Sequence, residues 1–286
     1  MKILSFGEIL WDVYPDKSYI GGAPLNFAAH LARHRDGVFM LSAVGKDELG
    51  RKALERLYEW GVSARYVSVM DGKPTGRCDV TLDESSVPSY NLLNDVAYDY
   101  IDSGCICEDF DVLYFGTLAL RGRYNFSSLV SLLKRSCFEE VFVDINIRSP
   151  FYSEKTVRFS LENATIVKVS DEELPIVAKL LGIKETDYNG FAMRLSELYG
   201  NLKYIIITLG ADGAYALDTM TGKEYFSKAK EAEVKSTVGA GDSFSAAFLH
   251  KYMDKNDISV CLEYASRVAG FVVSQYDAVP DYEAEE

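Results

Sequence analysis

The chain has 286 residues, 48% hydrophobic and 26% charged, the composition of a globular protein rather than a disordered, collagen-like or coiled-coil one. Its 30 Lys plus Arg against 43 Asp plus Glu give a formal charge of −13, which argues against nucleic acid or an anionic membrane as a partner, since both need a positive field. A polyanionic ligand of such a chain is expected to be small, metal-bound and held by local backbone dipoles.

In chain order, short apolar runs predict buried strands at 2–6, 38–43, 112–115, 141–145, 166–169 and 204–208. Between them, apolar residues three and four apart predict helices at 25–35, 49–60, 126–136, 172–181 and 191–198. This alternation predicts an α/β fold, a mostly parallel sheet with helices on both faces. Two stretches, 14–20 and 76–100, offer strand-like pieces without helices, and Ser85-Ser86-Val87-Pro88-Ser89 reads as a turn. They predict a small β lid over a cleft, attached to a single domain that spans 1–286; an edge extension of the main sheet is the alternative. Residues 213–226 read as a hairpin turning at 218–222. Cys78, Cys105, Cys107, Cys137 and Cys261 show neither zinc-ligand nor disulfide-framework spacing, so reduced thiols and a cytoplasmic setting are expected. The opening Met1-Lys2-Ile3-Leu4-Ser5-Phe6-Gly7-Glu8 does not read as a signal peptide. No apolar run approaches the ~20 residues that span a bilayer.

The segment richest in chemistry is Ser236-Thr237-Val238-Gly239-Ala240-Gly241-Asp242-Ser243-Phe244. A Gly-rich turn entering a helix presents unpaired amides and the positive end of the helix dipole, which together make an anion cradle. A carboxylate in that cradle, Asp242, is placed to take a proton from a hydroxyl while the amides stabilise a transferring phosphoryl group. The alternative is an ordinary helix start with Asp242 as its cap. No phosphate loop of the G-x-x-x-x-G-K-[ST] kind, dinucleotide fingerprint or hydrolase elbow occurs. Asp12 follows the first strand, where ligands bind in open α/β sheets. Gly21-Gly22-Ala23-Pro24-Leu25-Asn26 opens a helix, with glycines that allow close approach and a proline suited to an early helical position. Asp12 and Asn26 are candidates to grip the hydroxyls of a polyol.

On these two segments, 21–35 and 236–244, the chain resembles the ribokinase/PfkB family of sugar kinases over essentially its whole length. Gly-Gly-Ala-Pro-x-Asn after a Gly-Glu opening, with Asp144-x-Asn146-x-Arg148, is most similar to fructokinases. The resemblance implies a ribokinase-like three-layer fold with a β lid, and transfer of the ATP γ-phosphoryl group to a primary hydroxyl, most simply of D-fructose. It implies Asp242 as base, with Gly239, Ala240 and Gly241 as the anion hole. It implies Asp12, Gly22, Asn26 and Arg148 on the sugar side, and Lys168, Thr208, Gly210, Gly213, Gly239 and Gly241 on the ATP side. Glu173 is implied near Mg²⁺, and a homodimer through the lid as the assembly.

The chain departs from the family pattern at three serines and at Asp277-Ala278-Val279-Pro280, which stands for the more usual Gly-Ala-x-Pro on the adenine side. Ser170 replaces the Asn of the N-x-x-E region, and Ser266 replaces an Asn near the adenine. Ser236 stands for the usual Asp of the stretch linked to monovalent-cation binding, which leaves a K⁺ requirement open. Kinases of the same family acting on 2-keto-3-deoxygluconate, ribose or a nucleoside, and a catalytically silent sugar sensor, are the competing expectations.

Overall fold

The computed structural model describes residues 1–35, 37–82, 88–185 and 187–282. In chain order its strands are β1 (Ile3–Phe6), β2 (Leu10–Val13), β3 (Ser18–Gly21), β4 (Val38–Gly45), β5 (Ser63–Met70), β6 (Gly76–Leu82) and β7 (Pro88–Leu92). They continue with β8 (Val112–Gly116), β9 (Glu140–Asp144), β10 (Ile166–Ser170), β11 (Tyr204–Thr208), β12 (Ala214–Asp218) and β13 (Glu224–Ser227). The helices are α1 (Ala23–Ala32), α2 (Glu48–Glu59), α3 (Arg123–Arg135), α4 (Glu154–Asn163), α5 (Leu174–Leu181), α6 (Tyr188–Leu198), α7 (Ala240–Met253) and α8 (Ile258–Val273).

Nine strands form the main sheet in the order β13-β12-β11-β10-β9-β8-β1-β4-β5. Pairing is parallel from β5 across to β11, and antiparallel only through β12 and β13. The inner strands are apolar throughout because both of their faces are covered. Alternate residues of β8 divide between two cores, Val112 and Tyr114 on one face, Leu113 and Phe115 on the other. In β11, Ile206 joins the first core while Ile205 and Ile207 join the second. Helices α1, α7 and α8 cover one face; α3, α4, α5 and α6 cover the other. Because β1 and β8 to β11 run parallel, their carboxyl ends open on one edge, where loops carry ligands in such sheets.

A second sheet has the order β3-β2-β6-β7, with β2 antiparallel to β3 and parallel to β6. Its β6 and β7 fall within the expected 76–100, but its first part starts before the expected 14–20: β2 begins at Leu10, so Asp12 belongs to this sheet, opposite Tyr19 and Cys78. After β7 the chain returns to the body, with Ala97 and Tyr98 fully buried in a 3-10 turn. Of the turn expected at 85–89, Ser85, Ser86 and Val87 lie outside the described residues, while Pro88 and Ser89 are already in β7. Among the described residues no helix is long and apolar enough to cross a membrane.

Candidate active site

Helix α7 starts from Gly239, whose φ of 82° is left-handed. A Cβ there would stand 2.5 Å from the Ala278 carbonyl oxygen, so only glycine lets the turn lie against that segment. The helix cap has no side-chain hydrogen bond, so Asp242 is not a cap; it lies in the first turn. The Ala240 amide donates to the Thr237 carbonyl at 3.3 Å. By helix geometry the amides of Gly241 and Asp242 are left as unpaired donors at the positive end of the dipole.

The structure joins the two sequence segments directly. Asn26 Nδ2, on the first turns of α1, donates to Asp242 Oδ2 at 2.8 Å. Asp242 is 8% exposed. Burial, then the charge of Asp144, push its pKa up to about 6, against the opposing effects of Asn26, Lys168 and Arg148. Behind it, Lys168 Nζ meets Asp144 Oδ1 at 2.9 Å in a nearly solvent-free ion pair. Tyr114 and Ser245 hydroxyls donate to Asp144 Oδ2 at 3.3 and 3.4 Å. Burial works against the Lys168 charge, yet Asp144 and Glu173 outweigh it and hold the ammonium pKa above its ordinary value. A Cβ on Gly241 would come within 3.4 Å of Lys168 Nζ, so the charge lies immediately beneath the turn.

On the acceptor side, Gly22 has φ 114°, and a Cβ there would meet the Glu8 carbonyl oxygen at 2.4 Å. Asp12 faces the same region: burial raises its pKa, while Arg148 and a hydrogen bond with Cys78 oppose the rise. Arg148 is exposed and its charge reaches Glu8, Asp12 and Asp242. It follows Asn146, which adopts φ 41° at the end of β9. Glu8 is the residue that sequence reasoning missed. It is 3% exposed, its Oε1 accepts the Ala23 amide at 3.2 Å, and its Oε2 has no partner among the described residues. Burial above all pushes its pKa up to about 7. The available signal was a charged residue two positions after an apolar strand.

On the expected nucleotide side, Ser170 and Thr208 end paired strands. Gly210 has φ 53° and open space beside it. Gly213 has a structural duty, since a Cβ would lie 2.0 Å from the Ser227 carbonyl oxygen. Both Glu173 carboxylate oxygens accept backbone amides, from Ile147 and from Ser170, the latter at 2.8 Å. Glu173 thus ties the 145–148 loop to the end of β10. Among the described residues no cluster of three or more His, Cys, Asp or Glu side chains is arranged to hold a metal. Carboxylates committed to Lys168, Asn26 and backbone amides do not form a protein cage. They fit a magnesium that arrives on nucleotide phosphates and keeps its waters.

The sequence profile described as "pfkB family carbohydrate kinase" matches residues 6–285. A 5-dehydro-2-deoxygluconokinase of Clostridium botulinum is 25% identical over 278 residues, covering 93% of this chain and 81% of that protein. A protein of Arabidopsis thaliana named "Probable fructokinase-4" is 27% identical over 289 residues, covering 88% of this chain and 82% of the relative. Among solved structures, fructokinase with bound ATP from Xylella fastidiosa superposes with a TM-score of 0.85 at 21% identity, over 97% of this chain and 94% of that one. That likeness establishes the ribokinase-like α/β fold.

Proposed function

The chain belongs to the pfkB family of carbohydrate kinases, and from that premise we propose that it transfers the γ-phosphoryl group of ATP to a primary hydroxyl of D-fructose. The observation that carries the reading is the Asn26–Asp242 hydrogen bond. It places a polar side chain suited to a sugar against a buried carboxylate at the amide-rich start of α7.

Asp242 is the general base. With a pKa of about 6 it is mostly ionised at neutral pH and a stronger base than an ordinary aspartate. As the acceptor oxygen attacks the γ-phosphorus, Asp242 takes its proton; the bond to the β,γ-bridging oxygen breaks and ADP leaves. The amides at the Gly239–Gly241 turn face the charge on the transferring group. Lys168 beneath them adds fixed positive charge in a dry environment. Asp12, Gly22, Asn26 and Arg148 bind the sugar, and Thr208, Gly210 and Gly213 shape the wall along the nucleotide. Bound Mg²⁺, arriving with the nucleotide near the Ser170–Glu173 end of β10, would supply neutralisation of the phosphate charge. Glu173 acts at one remove, by fixing the loop that carries Arg148.

In this reading the second sheet is a lid on a single domain, closing over the sugar to exclude water. Its outer strands, β3 and β7, leave hydrogen-bonding edges for a second copy, and a solution mass of one chain would refute that dimer. The setting proposed is cytoplasmic.

The test is ADP release with Mg-ATP against fructose, 5-dehydro-2-deoxygluconate, 2-keto-3-deoxygluconate, ribose and adenosine, each with and without K⁺. Turnover confined to fructose is expected. Turnover confined to one of the other acceptors would overturn the choice of fructose while leaving the kinase chemistry standing. The K⁺ series decides what Ser236 means.

A further inference from the structure

Helix α1 reaches the reaction centre twice. Its first contact is Asn26 on Asp242. One turn later on the same face is His30, fully buried. Its Nε2 lies 2.8 Å from the carbonyl oxygen of Ala278, and its Nδ1 lies 2.8 Å from the Tyr282 hydroxyl. A carbonyl only accepts, so Nε2 carries the proton; Nδ1 of the neutral ring then accepts from Tyr282. Burial lowers the ring's pKa to about 4, which keeps that neutral form at physiological pH.

Ala278 belongs to the segment 277–282, a strap that follows α8 and crosses α1. The strap is fastened again by the Arg33–Asp281 ion pair at 2.9 Å. It is also held by the Tyr282 ring, which has the Arg33 guanidinium 5.2 Å from its centre and the Phe271 ring edge-on at 5.6 Å. On its other side, Ala278 lies against Gly239: its carbonyl oxygen and Cα stand 2.5 and 2.9 Å from where a Gly239 Cβ would be. The left-handed residue that starts the phosphate-facing turn therefore leans on a peptide whose carbonyl is gripped by His30.

We propose that His30 is a positioning residue, which holds the Gly239 turn in its receiving conformation through the Ala278 peptide of the C-terminal strap. The role rests on the reading of that turn as the site of phosphoryl transfer. It gives α1 two tasks four residues apart: Asn26 sets the base, and His30 sets the donors that the base works beside. A shift of the strap displaces the turn's amides relative to Asp242, and small misplacements of catalytic groups are costly in rate.

Two variants separate this role from simple packing. His30→Met fills similar space without a donor, whereas His30→Gln keeps an N–H able to reach the carbonyl. His30→Met is expected to lower kcat about 10-fold and raise the KM for ATP several-fold, the scale of losing a buried hydrogen bond that fixes a reactive group. The KM for the sugar should stay unchanged. His30→Gln should recover most of kcat, with thermal midpoints of the two variants close together. Tyr282→Phe, which leaves the bond to Ala278 intact, should keep kcat within about 2-fold. Equal kinetics for the Met and Gln variants, or sugar and ATP KM values rising together, would overturn the proposal. Asp242→Asn is the control: if it retains turnover, the assignment of the turn itself fails, whereas its loss beside a fully active His30→Met refutes only the role of His30.

Discussion

In the proposed reading, the ion pair of Lys168 and Asp144, with side chains 5% and 2% exposed, couples stability to chemistry at single residues. Removing one member of a buried pair leaves the other charged and unpaired, which costs about 3–5 kcal/mol. Lys168→Met should show that loss in urea unfolding and also depress turnover, because the charge beneath Gly241 goes with it; an unchanged unfolding midpoint would refute the account. Asp242→Asn keeps the shape and the Asn26 contact but removes the proposed base, so kcat should fall roughly 10²-fold or more with sugar affinity little altered. The sequence made Asp242, Gly239 and Asn26 legible because their chemistry is local: a turn, a helix start, a proline in place. It could not show that Lys168 pairs with Asp144 or that Glu8 ends with an oxygen unpartnered among the described residues, since those facts depend on segments that meet only in the fold.

At the scale of elements, Asp47 does more than cap α2. Its Oδ1 accepts the Gly50 amide and the Thr75 hydroxyl, its Oδ2 accepts the Thr75 amide, and the same hydroxyl accepts the Gly45 amide. One side chain thus joins the end of β4, the start of α2 and the approach to β6 in the second sheet. Burial opposes its ionisation, but the bonds from Thr75 and from the Gly50 and Leu49 amides outweigh it and hold the carboxyl below its ordinary pKa. Asp47→Ala should cost about 1–2 kcal/mol, read as a lower thermal midpoint, and an unchanged midpoint would deny the linkage. The inner strands were readable because two-sided burial makes them uniformly apolar. The edge strand β5 was not, since half-buried positions and Arg65 blur its pattern. Helix α4 mixes its apolar Val157 and Leu161 with Thr156 and Ser160 on the buried side, which hides the period. β2 was obscured because a strand that begins three residues after β1, in a different sheet, reads as that strand's exit loop.

Over the whole molecule, the three histidines gather where α1, α7, α8 and the strap meet; His34 stacks on His250 with ring centres 4.5 Å apart. Burial lowers all three pKa values from 6.5, to about 4 for His30, 3 for His34 and 4 for His250. Below pH 6.5 the unfolded chain takes up protons that the folded histidines refuse, so their contribution to stability is lost as pH falls from about 6.5 toward 4. Glu8 and Asp242, raised to about 7 and 6, act in the opposite sense: folded, they hold protons the unfolded chain has released, and they favour the fold more as pH falls through that window. Asp12, also raised, joins these two carboxylates, and Asp47, held low, joins the histidines, whose summed shifts are the larger and leave a net fall in stability on acidification. Glu8→Gln should steepen it, because one opposing group is gone; a flat or reversed profile in urea titrations between pH 4 and 7 would contradict this balance.

The place of β1 has a consequence for how the protein is made. Ile3 pairs on one side with Val38 and on the other with Val112, so during synthesis β1 waits for β8 before its second edge is covered. An apolar strand exposed for that long invites pairing with another nascent chain. Such sequence-distant parallel pairing also delays closure of the sheet. Fragments that stop before residue 112 should therefore aggregate when released, whereas a fragment of that kind that stays soluble and folded would show that β1 needs no second neighbour.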